Sequence, residues 1–178
     1  STAGPFDDWP TRMGFDYFYG FFAAETNQFK PALYRGTTPI PTLKEGVLDK
    51  ALADDAIDWI RNQNAAAPDK PFFVYYATGS THAPVQAPAE WIAKFRGKFD
   101  AGWDVLGKQI IAQQEKMGMV PKGTKILARP AGIPAWSTLS PTLQKVNARA
   151  MEVYAGMLAY QDAQVGRVLD ELDRTGES

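Results

Sequence analysis

The chain holds a single histidine, His82, and no cysteine. Imidazole is the side chain best suited to exchange a proton near neutral pH. His82 stands in Thr78-Gly79-Ser80-Thr81-His82-Ala83-Pro84, where glycine, small side chains and proline suit a tight loop that carries the ring to a cleft. There it can donate to a developing anion or pass a proton. The structural alternative is a surface or hydrogen-bonded loop histidine. The lack of cysteine excludes a thiolate metal site, a cysteine nucleophile and a disulfide framework within these residues. A lone loop histidine completes neither a zinc ligand set nor a Ser-His-Asp arrangement.

Two acidic pairs are the other candidates. Asp7-Asp8 falls in a turn, and Asp54-Asp55 falls on a helix face beside Lys50 and Arg61. Both read as solvated charge, and without further convergent oxygens neither makes a metal site. Neither G-x-G-x-x-G nor G-x-x-x-x-G-K-[ST] occurs, so nucleotide binding by those routes is not expected.

The elements that must position His82 follow from periodicity. Leu52, Ala56, Ile57 and Ile60 recur at helical spacing, which predicts an amphipathic helix over about Leu48–Asn62. Pro68 breaks it. The run Pro71 to Ala77 (PFFVYYA) is apolar, of strand length and bounded by Pro71 and Gly79, so Phe72–Tyr76 is expected as a strand buried on both faces. Helix, break and apolar strand make half of an α/β unit, and ligands of such sheets gather at the carboxyl ends of strands. His82 lies a few residues past that end.

Downstream, a short helix is expected near Ala89–Phe95 and a longer one over Trp103–Lys116, with Trp103, Leu106, Ile110, Ile111 and Met117 as its apolar stripe. Residues 119–140 read as a proline-rich surface excursion. Ser140-Pro141 supplies an N-cap with proline at the first helical position. The helix it opens should run to about Arg174, with Val146, Val153, Met157, Leu158, Val165, Val168, Leu169 and Leu172 on one side and Gly176 as C-cap. Met151, Met157 and Tyr154 on this helix read as core. Upstream, six of the 22 aromatic residues fall within Phe15–Phe22 without a consistent period, which predicts an irregular packed segment. Only Arg12 is close by, so a base-stacking platform is disfavoured.

The motifs add a resemblance. The runs GPFDDWPTRMGFDYFYGF and ETNQFKPALYRGTTPI, the long run from DDAIDWIRNQNAAAPDKPFFVYYATGSTHAP to WIAKFRGKFDAGWD, and MEVYAGMLAYQDAQVGRVLDELDRTG together resemble the middle of bacterial arylsulfatases of the alkaline phosphatase superfamily. The resemblance implies a sulfuric ester hydrolase built as an α/β/α sandwich, of which this chain is a helix-rich interior part with one central strand. It implies a formylglycine nucleophile and a calcium ion, both supplied by flanking parts of the same polypeptide, with no metal ligand in residues 1–178. It matches His82 to the family's THAP histidine, which contacts the sulfate ester and protonates the leaving oxygen. It matches Asn27 to an asparagine of the Thr-Asn-Gln stretch, with a cleft-lining, substrate-binding role. Many relatives read THAPH; Val85 replaces the second histidine here, which removes any shared role for a histidine pair. The alternatives are a phosphonate or phosphodiester hydrolase of the same superfamily and a non-catalytic binding or scaffold module.

Composition bounds the rest. The length suits about one domain, with no internal boundary expected. Nineteen basic residues against 20 acidic ones give a net charge of -1, with no basic run to follow a nucleic-acid backbone or an anionic membrane. No apolar run approaches the ~18 residues of a membrane span. The expected protein is soluble, in a bacterial cytoplasm or periplasm, and acts on a small-molecule sulfate ester. The chain opens without methionine and stops just past a helix, which reads as an excerpt from a longer polypeptide.

Overall fold

The computed structural model describes residues 3–177; Ser1, Thr2 and Ser178, the ends of the expected uninterrupted span, lie outside the described residues. Three short strands come first: β1 (Tyr19–Gly20), β2 (Leu33–Arg35) and β3 (Thr38–Ile40). They form an antiparallel sheet in the order β1-β2-β3, with Tyr19 opposite Arg35 and Leu33 opposite Ile40. Four helices follow: α1 (Leu48–Ala66), α2 (Ala89–Ala93), α3 (Trp103–Lys116) and α4 (Pro141–Thr175). Among the described residues no helix is long and apolar enough to cross a membrane.

α1 is the centre of the packing. Its Ala53, Ile57 and Ile60 join Val168 of α4 in one buried cluster, and Leu48 and Leu52 join Leu33 of β2 in another. These positions keep the 3–4 residue spacing of a single face. α2 docks on the other part of α4 through Ile92 and Met157. Gly156 makes that approach possible, because a Cβ there would lie 2.9 Å from both the backbone N and the Cα of Ile92. Gly156→Ala should therefore lift α2 off α4 and destabilise the protein by ~1–3 kcal/mol, read as a fall in denaturation midpoint; an unchanged midpoint would refute this account of the docking.

Local signals set the helix ends. Ser140 Oγ accepts from the Leu143 backbone N at 3.3 Å, Pro141 occupies the first turn, and Gly176 closes α4 in the left-handed conformation at φ 78°. α3 spans the residues expected of it.

Three expectations need correction. Phe72–Tyr76 joins no ladder among the described residues, and its burial alternates: Phe72, Val74 and Tyr76 pack on the α1–α4 cluster, while Phe73 and Tyr75 are 73% and 75% exposed. An apolar run specifies an extended chain, but a ladder needs neighbouring strands, and the described residues place none beside it. The apolar stripe of α3 is only partly covered: Trp103, Leu106 and Ile111 are half-buried, with Trp103 against Trp136, while Ile110 and Met117 are exposed.

The third correction concerns α4. Its buried face runs Ala148, Glu152, Gly156, Met157, Tyr160, Gln164, Val168 and Glu171. Val146, Met151, Tyr154, Leu158 and Leu169 are exposed instead. At 35 residues the helix is about 52 Å long, more than α1 and α2 can cover. The buried face also carries polar residues, each satisfied locally: Glu152 accepts from the Gly97 backbone N at 2.8 Å, and Glu171 takes both Arg61 of α1, at 2.8 Å, and Arg174.

Hydrogen bonds from Arg174 and then Arg61 hold the Glu171 carboxyl down to about 2 from its ordinary 4.5. A pKa depressed by folding adds stability above the unfolded value that is lost as pH falls toward the folded one. Glu171→Gln should therefore lower the melting temperature at pH 7, and the gap to wild type should close between pH 4.5 and about 2. A gap that persists at pH 2 would contradict the ion-pair origin.

The acidic pair on α1 is likewise paired rather than simply solvated. Asp54 meets Arg167 of α4 and Lys50, both at 2.6 Å, and Asp55 meets Arg35 of β2 at 2.8 Å and the Tyr17 hydroxyl at 2.9 Å. These residues pin α4 and the small sheet to α1.

Candidate active site

The loop from Thr78 to Pro84 leaves the α1–α4 core and ends in the exposed ring of His82. Each residue before the histidine is held by α1, α4 or the chain between residues 21 and 28. Thr78 Oγ1 accepts from Gln161 Nε2 of α4 at 2.6 Å. Gly79 lies against Gln28, Leu48 and Phe21, all 3.3 Å from where a Cβ would stand. Ser80 donates its hydroxyl to Asp49 of α1. Thr81 Oγ1 is 2.9 Å from the Tyr154 hydroxyl of α4. The backbone N of His82 then donates to the Gly79 carbonyl at 3.2 Å, closing a tight turn.

Asp49 is fully buried, and one of its oxygens has no hydrogen-bond partner among the described residues. Burial pushes its carboxyl above the usual carboxylate range, with the Ser80 bonds opposing. The Tyr76 hydroxyl, 3.5 Å from the Asp49 carbonyl, is pushed up to about 12 by burial and then by the Asp49 charge. These groups form the base on which the loop rests.

The segment 25–28 closes the other side. Gln28 is buried; its backbone N donates to Gln86 Oε1 at 2.9 Å, and its carbonyl accepts from the Leu48 N at 2.8 Å. Glu25 places Oε2 3.3 Å from His82 Nδ1. Asn27 is exposed, and its Oδ1 accepts from the backbone N of Phe29 and Lys30 at 2.9 Å. The fold thus brings the Asn27 segment and the His82 loop together. Glu25, Asp49 and Gln161 were not singled out in the sequence, and Tyr154 was read there as core. Glu25 lay inside the quoted ETNQ run, and the hydroxyl of Tyr154 was the signal against reading it as core.

Among the described residues no three His, Cys, Asp or Glu side chains converge to hold a metal ion. Those side chains by themselves do not make a calcium site.

The sulfatase family model matches residues 2–178. The chain belongs to the sulfatase family. This sulfatase is 29% identical over 179 residues to an arylsulfatase of Klebsiella aerogenes, a match covering 94% of this chain and 38% of that protein. It is 29% identical over 191 residues to an uncharacterized sulfatase of Schizosaccharomyces pombe, covering 96% of this chain and 34% of the relative. It therefore spans little more than a third of the length of these curated relatives. Among solved structures, Ps i-CgsB matches 98% of this chain and 32% of its own with a TM-score of 0.60 at 19% identity. The fold is accordingly part of the α/β sulfatase architecture. In this part of it the helices and the small antiparallel sheet carry the core, and the run at 72–76 leaves one face open.

Proposed function

We propose that the full-length protein hydrolyses sulfate esters of phenols or alcohols, and that His82 donates a proton to the bridging oxygen. The observation that carries this reading is the exposed imidazole at the tip of a loop whose preceding residues are tied to α1, α4 and segment 25–28. Such anchoring lets a small side chain hold its position against a substrate, which is the condition for proton transfer. The kinship with an arylsulfatase supports the substrate class.

In the reaction a nucleophile attacks sulfur and the bond from sulfur to the bridging oxygen breaks, the electron pair staying on oxygen. The proton from the His82 ring neutralises that charge as it forms, and the ring is re-protonated from water. Asn27 lies on the adjoining segment 25–28, and its NH₂ serves as a donor to a sulfate oxygen. The nucleophile, which the family resemblance makes a formylglycine, and any calcium ligands come from flanking parts of the polypeptide.

The test is turnover by the full-length protein of a chromogenic aryl sulfate beside the matching phosphodiester and phosphonate monoester. Preference for the sulfate supports the reading. Preference for either phosphorus ester would establish the alternative hydrolase, and no turnover of any ester would establish a binding or scaffold role.

A further inference from the structure

His82 Nδ1 faces two groups, Glu25 Oε2 at 3.3 Å and the carbonyl oxygen of Ala83 at 3.1 Å. A carboxylate and a carbonyl can only accept, so a ring nitrogen between them must carry the proton. The other nitrogen, Nε2, makes no hydrogen bond among the described residues. We propose that Glu25 is a positioning residue for His82: it holds the ring with Nδ1 protonated, so that Nε2 is the atom presented to the substrate. This rests on the reading of His82 as the proton donor.

The arrangement has a definite chemical consequence. With Nδ1–H held by the Ala83 carbonyl at 3.1 Å and flanked by the Glu25 carboxylate at 3.3 Å, the neutral ring presents a lone pair at Nε2, and the cationic ring presents an Nε2–H donor. The cationic form is the one able to donate to the bridging oxygen. After transfer the ring returns to the same Nδ1–H tautomer without turning over. A ring free to flip would spend part of its time with the wrong nitrogen forward. Carboxylate partners orient histidines in this way in many sites. Both side chains are more than half exposed, at 57% and 56%, so solvent weakens the pair and the effect is smaller than that of a buried dyad.

The experiment uses the full-length protein and four variants, Glu25→Gln, Glu25→Asp, His82→Gln and the double substitution of Glu25→Gln with His82→Gln. With a poor leaving group, Glu25→Gln should lower kcat about tenfold, a part of the ~10²–10⁴-fold available to a general acid, with KM changed less than twofold. Glu25→Asp should recover part of the loss. In the His82→Gln background Glu25→Gln should cost nothing more, because it acts through the ring. Independently, long-range proton–nitrogen-15 correlation spectra of the wild-type protein, with the His82 signal identified by its absence in His82→Gln, should show the Nδ1-protonated tautomer when the ring is neutral.

An Nε2-protonated tautomer, or full kcat in Glu25→Gln on the poor leaving group, overturns the role of Glu25. So does an additive loss in the double variant. Unchanged kcat in His82→Gln overturns the catalytic reading of His82 itself, and with it this inference. A loss in His82→Gln beside full activity in Glu25→Gln overturns only the latter.

Discussion

His82→Ala in the full-length protein should lower kcat on an alkyl sulfate by ~10²–10⁴-fold while KM moves by less than about threefold. At about 1.4 kcal/mol per factor of ten, the loss corresponds to ~3–5 kcal/mol of transition-state stabilisation. The split between kcat and KM follows from timing, since charge on the bridging oxygen exists only as the bond to sulfur breaks, and the bound ester does not need the donor. Folding should be almost untouched. The ring is exposed, and its polar contacts among the described residues are with Glu25 and the Ala83 carbonyl, so the melting temperature should stay close to wild type. Added imidazole should restore part of the rate by entering the space the ring leaves. A large fall in melting temperature with unchanged kcat would return His82 to a structural role.

The second large effect is on stability. Ile60 is 1% exposed and packs with Ala53, Ile57 and Val168, with Phe72, Val74 and Trp59 at the edge of the cluster. Ile60→Ala removes buried methyl and methylene groups where helix backbones on two sides limit collapse, so it should cost ~2–5 kcal/mol in denaturant unfolding. The change should appear in the midpoint with an unchanged slope. Because α1 also carries Asp49 beneath the His82 loop, the variant should lose activity at temperatures where wild type is still folded. A cost below ~1 kcal/mol would mean that α1 is not the centre of this core.

What could be read in the sequence was what is decided locally. The bounds of α3, the Ser140 cap with Pro141 and the Gly176 terminator depend on a few adjacent residues, and the structure places them as expected. The small sheet was not legible, because two- and three-residue strands carry no periodicity. The face of α4 was misassigned because hydropathy marks apolar side chains, whereas this helix buries Glu152, Gln164 and Glu171 and satisfies them with arginines and backbone N–H groups. The run at 72–76 reads as a strand from composition alone, yet pairing depends on chain that lies elsewhere in sequence. At the site, His82 was legible as a lone imidazole after an apolar run. Its partners were not, since Glu25, Asp49 and Tyr154 meet the loop only through tertiary packing.

The central claim is that His82 protonates the departing oxygen, and the most direct measurement is the dependence of kcat/KM on leaving-group pKa. Wild type and His82→Gln are to be compared over a series from nitrophenyl to alkyl sulfates. A shallow dependence is expected in wild type and a steep one in the variant, with the two lines meeting at the nitrophenols, which depart without protonation. Parallel lines, with the variant slower by the same factor at every leaving group, would contradict it.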